Sequence, residues 1–374
     1  MANRGRTLDT QVFCINDLKE QASKKLPKMY REYFNEGAMD MITENSLREN
    51  EKAYDRYRIR PRVLRNISQI DTSTTIFGTN VSFPLGFSPA AMHKLAHPDG
   101  EVGTSRAAAA ANIPMGLSAY STDSLEDVIS QGTGNPYAMQ VSIMKEREIT
   151  TRVLQRAEAA GYKAIFMTTD APILGRRLNE FRNCFSPPKG TGFPNVFPGI
   201  ENVNLEESGD AMAYEDSVEW EEAVTFMRSK TNLPIWAKGV QTGEDVALAI
   251  RHGLDGVIVS NHGGRQLDSV PAALDSLREC APVAKGRIPI AVDSGIRRGT
   301  DIFKALALGA DFCFTGRIPI WGLAYNGTSG VKLALDLLLD EFKTCMGLAG
   351  CRSVKEINRG HLSLLETNWV LSKL

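Results

Sequence analysis

The chain has 374 residues, and its Lys+Arg of 43 against Asp+Glu of 44 leaves a formal net charge of -1, so it lacks the basic excess that tracks a nucleic-acid backbone. No stretch approaches the ~18 uninterrupted apolar residues of a membrane span, and the opening MANRGRTLDTQVF lacks the apolar centre of a secretory signal. The six cysteines are scattered without a Cys-x-x-Cys pair, which predicts reduced thiols, no metal centre and a soluble, non-secreted protein.

In chain order, residues 1–80 read as a helical extension, with helices at 26–37 (LPKMYREYFNEG) and 40–52 expected to pack over the bottom or one flank of the main body of the chain. Eight short apolar runs of strand length then occupy residues 84–90, 113–118, 137–142, 164–170, 234–240, 256–262, 288–295 and 312–317. Each is succeeded by room for a helix, as at 101–111, 243–252 and 299–308, and 328–348 supplies the eighth. Continuous apolar character fits strands covered on both faces, and eight is the number that closes a parallel barrel. The expectation is α/β, a single-domain (β/α)8 TIM barrel over residues 84–348 with an N-terminal helical extension. A doubly wound open sheet is the alternative.

The connection after strand four is the longest, and its middle, residues 186–217, is rich in Gly, Pro, Asn and acidic residues. That composition has little to bury and predicts a mobile lid loop. The last three residues, Ser372-Lys373-Leu374, match a tripeptide that an import receptor reads as a peroxisomal address. A peroxisomal location is therefore expected.

Ser118, Gln140, Thr168, Asp170, Lys238, Ser260, His262, Asp293 and Arg317 fall at or near the C-terminal ends of the predicted strands, the active-site face of such a barrel. Lys238 interrupts an apolar strand, where an unpaired ammonium is expensive to bury. The stretch from Ser260 to Asp268 (SNHGGRQLD) places His262 and Arg265 on a glycine turn. An imidazole takes a proton near neutral pH and a guanidinium grips a carboxylate through two parallel donors, although a structural histidine beside a surface arginine fits the same letters. His93, His97, His252 and His361 read as turn or surface residues.

Together with Pro89-Ala90-Ala91-Met92, the run from Ala96 to Glu101 (AHPDGE), Thr168-Thr169-Asp170-Ala171-Pro172 before Gly175-Arg176-Arg177, the run from Asp293 to Gly299 (DSGIRRG) and Cys351-Arg352-Ser353, that stretch resembles the glycolate oxidase and lactate oxidase family of α-hydroxy acid oxidases, from about Leu26 to Glu356. The resemblance implies FMN. Pro89, Ala90 and Ala91 would lie against the isoalloxazine ring, with Ser118, Gln140 and Thr168 on its polar edge. Lys238 would sit at the pyrimidine end, where fixed positive charge favours the reduced ring. Asp293 would lie near the ribityl chain, Gly295, Arg297, Gly316 and Arg317 would cradle the phosphate, and Ser260, Ser294 and Ile296 complete the cofactor set. His262 would be the base, Asp170 its partner, and Arg177, Arg265 and Tyr33 the seat of the substrate carboxylate.

Two positions depart from plant glycolate oxidases, which carry tryptophan where this chain has Tyr120 and tyrosine where it has Ser142. Both changes remove side-chain volume beside the substrate and imply an acid larger than glycolate, unless a side chain from the 186–217 loop fills the gap. The implied reaction is oxidation of a 2-hydroxy acid with O2 as acceptor and H2O2 as product. Alternatives are another electron acceptor, oxidation of an amino acid or carboxylated nitrogen heterocycle as in some fungal biosynthetic members, or a phosphate-binding barrel without redox chemistry. The family also implies a homotetramer.

Overall fold

The computed structural model describes residues 7–38, 45–199 and 214–365, and the backbone of 371–373. All eight expected strands are present: β1 (Leu85–Phe87), β2 (Met115–Leu117), β3 (Tyr137–Val141), β4 (Ala164–Thr168), β5 (Ile235–Val240), β6 (Gly256–Val259), β7 (Ile290–Val292) and β8 (Phe312–Thr315). Each pairs in parallel with its chain neighbours and β8 pairs back onto β1, closing the barrel. Most are shorter than the apolar runs because the terminal polar residues leave the ladder and turn over the mouth.

The barrel interior is a packed layer of Ala138, Ala164, Phe166, Trp236, Ile258, Ala291, Phe312 and Phe314. Glycines make room for its rings: a Cβ on Gly256 would run into the Trp236 indole, and one on Gly86 would lie 2.8 Å from Phe314. A hairpin of Thr74–Ile76 and Thr79–Val81 plugs this layer, adding Ile76 and Val81 to it and setting Phe77 5.3 Å from Trp236.

The extension also holds helices α1 (Ile15–Lys25), α2 (Lys28–Asn35) and α3 (Asn45–Arg56); residues 39–44, where part of one expected helix falls, lie outside the described residues. The expected packing over the bottom or flank is corrected for α2 and α3, which sit at the C-terminal mouth. Asn50 of α3 and Asn261 exchange two amide hydrogen bonds of 2.8 Å, and Asp268 accepts the Ser46 N–H at 2.9 Å. Close approach is possible because a Cβ on Gly264 would lie 2.7 Å from the Leu47 nitrogen. α1 buries Ile15, Leu18 and Ala22 and packs along the last helix, Arg317–Ala349, which kinks at Asn326 and Gly327.

Of the expected 186–217 lid, residues 200–213 lie outside the described residues. Its described parts carry a few anchored side chains. Phe193, Val196 and Asn195 are buried, Asn195 Oδ1 accepts the Leu125 N–H at 2.8 Å, and Tyr214 forms an antiparallel bridge with Met144. The backbone of Leu371–Lys373 pairs antiparallel with Ser363–Leu365. Two histidines expected in turns or at the surface are buried instead, His93 and His361. His93 Nδ1 lies 2.9 Å from Thr104 Oγ1, and burial pushes its imidazole toward the neutral form.

Candidate active site

At the end of β6 the chain turns sharply, and His262 adopts φ 56, a left-handed conformation that a histidine holds only when its surroundings enforce it. Its N–H donates to Ser260 Oγ at 3.0 Å, and the Gly263 N–H donates to Ser294 Oγ at 3.1 Å. The ring's Nδ1 lies 3.1 Å from Asp170 Oδ1, beyond the end of β4. Asp170 Oδ2 is buried with no hydrogen-bond partner among the described residues.

A β-bulge in β5 between Lys238 and Val240 makes this pairing fit. At its centre Gly239 has φ +112, and a Cβ there would lie 2.5 Å from Asp170 Cγ. Nothing in the sequence pattern singled out Gly239, although a glycine inside a strand is a recognised signal of a bulge or close approach.

The ammonium whose burial the sequence made conspicuous has a counter-ion: Lys238 is 4% exposed, and its Nζ lies 3.2 Å from Asp293 Oδ2 and 3.2 Å from Ser260 Oγ. Asp293 also accepts from Ser88 Oγ and Ser294 Oγ, each at 2.9 Å. Burial raises the Asp293 carboxyl, but the Lys238 charge and the three serine hydroxyls outweigh it and hold the group below its ordinary range. Ser88 is a further residue that sequence reasoning missed.

Along the opposite edge Gln140 Oε1 accepts the Ala119 N–H at 3.2 Å, and its Nε2 donates to Thr168 Oγ1 at 3.0 Å. Ser118 Oγ accepts the Tyr120 N–H at 3.1 Å, and Pro89, Ala90 and Ala91 are half-buried just beyond β1. A Cβ on Gly316, at the start of the last helix, would meet only Ser88 Cβ at 3.8 Å. By contrast, Gly295 has a packing reason, since a Cβ there would run into the Asn50 carbonyl oxygen. Arg297, beside Ile296, pairs with Glu51 at 2.9 Å and lies over the Trp321 ring at 4.9 Å, yet its Nε is buried without a partner among the described residues. Arg317 donates to the carbonyls of Phe34, Gly263 and Glu36.

These residues fit FMN: a polar edge of amide and hydroxyls, a buried cation, open space at Gly316, and at Arg297 a buried Nε donor with no partner among the described residues. Facing them is a two-guanidinium cluster. Arg265 Nη1 donates to the Tyr33 and Glu36 carbonyls at 2.6 and 3.1 Å, and its guanidinium lies over the Tyr33 ring at 5.0 Å. Arg177 Nε donates to the Arg265 carbonyl at 3.3 Å. Glu180 Oε1 lies 3.2 Å from Arg177 Nη1 and 3.5 Å from Arg265 Nη2. Burial pushes the Tyr33 phenol up against the pull of both arginines.

Tyr120 is packed edge-on against Phe193 at 5.7 Å and Tyr214 at 6.4 Å, so side chains of the long loop do come in beside it. Ser142, just past β3, borders a cavity of about 610 Å³ together with Thr168, Trp220 and Leu248, and none of Tyr33, Tyr120, Arg177, His262 or Arg265 lines it. Glu101 of the AHPDGE run is fully buried and accepts from the backbone of His93, Thr122 and Asp123. That part of the pattern holds two loops together.

A parallel barrel with a histidine–carboxylate pair, a buried lysine and an arginine cluster at its mouth defines a flavin-dependent oxidoreductase of carboxylic acids. Residues 22–364 match the model of the FMN-dependent dehydrogenase family, and the chain belongs to that family. It is 56% identical over 368 residues to "Oxidase FUB9" of Fusarium oxysporum f. sp. lycopersici, covering 97% of this chain and 94% of that one. It is 44% identical over 356 residues to "Glycolate oxidase" of Spinacia oleracea, covering 93% and 95% respectively. The crystal structure of mandelate oxidase with (S)-2-phenylpropionate superposes with a TM-score of 0.86 at 34% identity, covering 94% of this chain and 99% of that chain. The protein is an FMN-dependent enzyme of the 2-hydroxy acid oxidase type.

Proposed function

We propose that the chain oxidises a 2-hydroxy acid larger than glycolate to the 2-oxo acid, with O2 as the final acceptor and H2O2 as the released product. The observation that carries the reading is the 3.1 Å contact of His262 Nδ1 with Asp170 beside the Arg177 and Arg265 guanidiniums. With Asp170 ionised, the proton belongs on Nδ1, which leaves Nε2 as the basic nitrogen. His262 takes a proton from the substrate while Asp170 stabilises the imidazolium. Arg265 and Arg177 hold the carboxylate, Tyr33 lines its seat, and Lys238 keeps a positive charge at the flavin. When bound, FMN would supply the electron sink for the two electrons lost by the α-carbon. Pro89, Ala90, Ala91, Ser118, Gln140, Thr168, Ser260, Asp293, Ser294, Gly295, Ile296, Arg297, Gly316 and Arg317 form its seat.

The size preference rests on Ser142 and Tyr120 standing where plant glycolate oxidases carry tyrosine and tryptophan, and O2 as acceptor is supported by relatives that are themselves called oxidases. Ser372-Lys373-Leu374 supports a peroxisomal location through the import receptor, in a compartment that destroys peroxide. The test compares anaerobic flavin-bleaching rates for glycolate and for an aromatic or long-chain 2-hydroxy acid, in wild type and Ser142→Tyr. The larger acid should win in wild type, and the tyrosine should shift the ratio toward glycolate by ~10-fold or more. A wild-type preference for glycolate, or a ratio unmoved by the substitution, refutes the size argument; peroxide release in air checks the acceptor.

A further inference from the structure

Three consecutive residues of the turn after β6, His262, Gly263 and Gly264, have positive φ of 56, 67 and 74. The two glycines take that conformation freely, whereas His262 carries a Cβ and must be held there. Asn261, which leads into the turn, is 1% exposed and uses every hydrogen-bonding position of its amide. Its Oδ1 accepts from Asn50 Nδ2 at 2.8 Å and from the Gly264 N–H at 3.2 Å. Its Nδ2 donates to Asn50 Oδ1 at 2.8 Å and to the Pro271 carbonyl at 3.2 Å. Asn50 thus supplies half of these bonds from α3, and its own Oδ1 is fixed by the Ala273 N–H at 3.1 Å. Main-chain groups at Gly264, Pro271 and Ala273 decide which end of each amide is oxygen, so the two side chains are keyed to one another.

We propose that Asn50 is a positioning residue for the proton transfer: by locking the Asn261 amide it holds His262 in the left-handed conformation that presents its ring to Asp170. The inference rests on the reading of His262 as the base. Without Asn50, the Asn261 amide keeps only its bonds to Gly264 and Pro271, both within its own loop. His262 can then relax toward negative φ, which opens its 3.1 Å contact with Asp170. The loss is partial, because Ser260 Oγ, Ser294 Oγ and the Ala38 N–H also hold main-chain groups of the turn. The main chain of α3 serves the cofactor loop instead. A Cβ on Gly295 would run into the Asn50 carbonyl oxygen, and the Tyr54 hydroxyl donates to the Ser294 carbonyl at 3.3 Å. A side-chain substitution at Asn50 leaves both contacts in place, which separates its effect on the base from an effect on FMN.

Asn50→Leu keeps most of the side-chain volume and removes the amide, and Asn50→Ala removes it without crowding. In the holoenzyme, with whichever of glycolate and mandelate bleaches the wild type faster, each should lower the limiting anaerobic bleaching rate about tenfold. Two binding constants should change less than about threefold: that of FMN, read from the fluorescence of released flavin, and that of oxamate, which has no α-hydrogen to lose, read from the bound flavin's absorbance. In a His262→Ala background the same substitutions should change bleaching less than about twofold, because the group they position is gone. An unchanged rate in both single variants, an equal loss with and without His262, or a tenfold loss of FMN affinity overturns the proposal and leaves Asn50 as a structural contact between α3 and the barrel. Wild-type bleaching in His262→Ala alone would instead remove the underlying reading of the base.

Discussion

Gly239→Ala is the substitution whose consequence comes most directly from the geometry. The new methyl group would stand 2.5 Å from Asp170 Cγ and 2.7 Å from Oδ1, whereas carbon atoms in ordinary contact stand ~3.5–4.0 Å apart. Asp170 must therefore retreat by roughly 1 Å, and its 3.1 Å contact with His262 opens to ~4 Å, beyond hydrogen-bond range. The left-handed backbone at this position adds about 1–2 kcal/mol of strain for any residue with a Cβ. A misplacement of ~1 Å in a catalytic constellation costs on the order of 100-fold, and losing the carboxylate's orienting role altogether costs up to ~10⁴-fold. The variant should retain FMN, measured by its visible absorbance after desalting, and should bleach ~100-fold more slowly in anaerobic stopped flow. The control is the same change in an Asp170→Ala background, where the carboxylate is gone and Gly239→Ala should add little. Wild-type bleaching in the FMN-bound single variant would refute the argument, and so would full additivity in the double variant.

His262→Ala should keep its flavin and lose at least ~100-fold in anaerobic bleaching, the usual scale for a removed general base; near wild-type bleaching would exclude His262 from the proton transfer. Asp293→Asn tests the buried pair through pH. The Asp293 carboxyl is held below its ordinary value of 3.8, so its stabilisation is complete above that value and is lost as pH falls through the lower folded one. Removing it leaves Lys238 uncompensated, which should cost ~3–5 kcal/mol at neutral pH and flatten the loss of stability on acidification. Urea midpoints at neutral and acid pH check both parts, and identical slopes in variant and wild type would contradict the assignment.

The barrel was legible because a strand covered on both faces must be apolar at every position, and eight such runs leave little choice of closure. The mouth was legible through polar residues that apolar packing cannot explain, above all Lys238. The placement of α2 and α3 was not. An amphipathic pattern says which face of a helix is buried and is silent on which end of a barrel receives it; that choice was made by Asn50 meeting Asn261, 211 residues away, and by glycines whose missing Cβ atoms are filled by the partner backbone. The same limit hid Gly239, defined by a residue distant in sequence. In the long loop the many polar residues masked Phe193 and Val196, because composition averaged over a segment conceals two anchors within it.

The site divides by what carries it, and the division has a consequence for how substrate choice changes. His262, Lys238, Ser260 and Asp293 stand on strand ends or the turns directly after them, held by the packed barrel and by short contacts to one another. Glu180 and Arg177 stand on the segment after β4, Tyr33 on α2, and Tyr120 is packed by Phe193 and Tyr214 from the long loop. Scaffold positions fix geometry to a few tenths of an ångström, while connecting segments tolerate substitution at small cost in stability. On the proposed reading, exchanging tryptophan for Tyr120 or tyrosine for Ser142 alters the space offered to the substrate and leaves the 3.1 Å histidine–carboxylate contact and the 3.2 Å lysine–aspartate pair in place. On the same reading the histidine–carboxylate pair is held by the strand ends, and part of the carboxylate seat, Arg177 and Tyr33, is carried by segments outside the barrel wall.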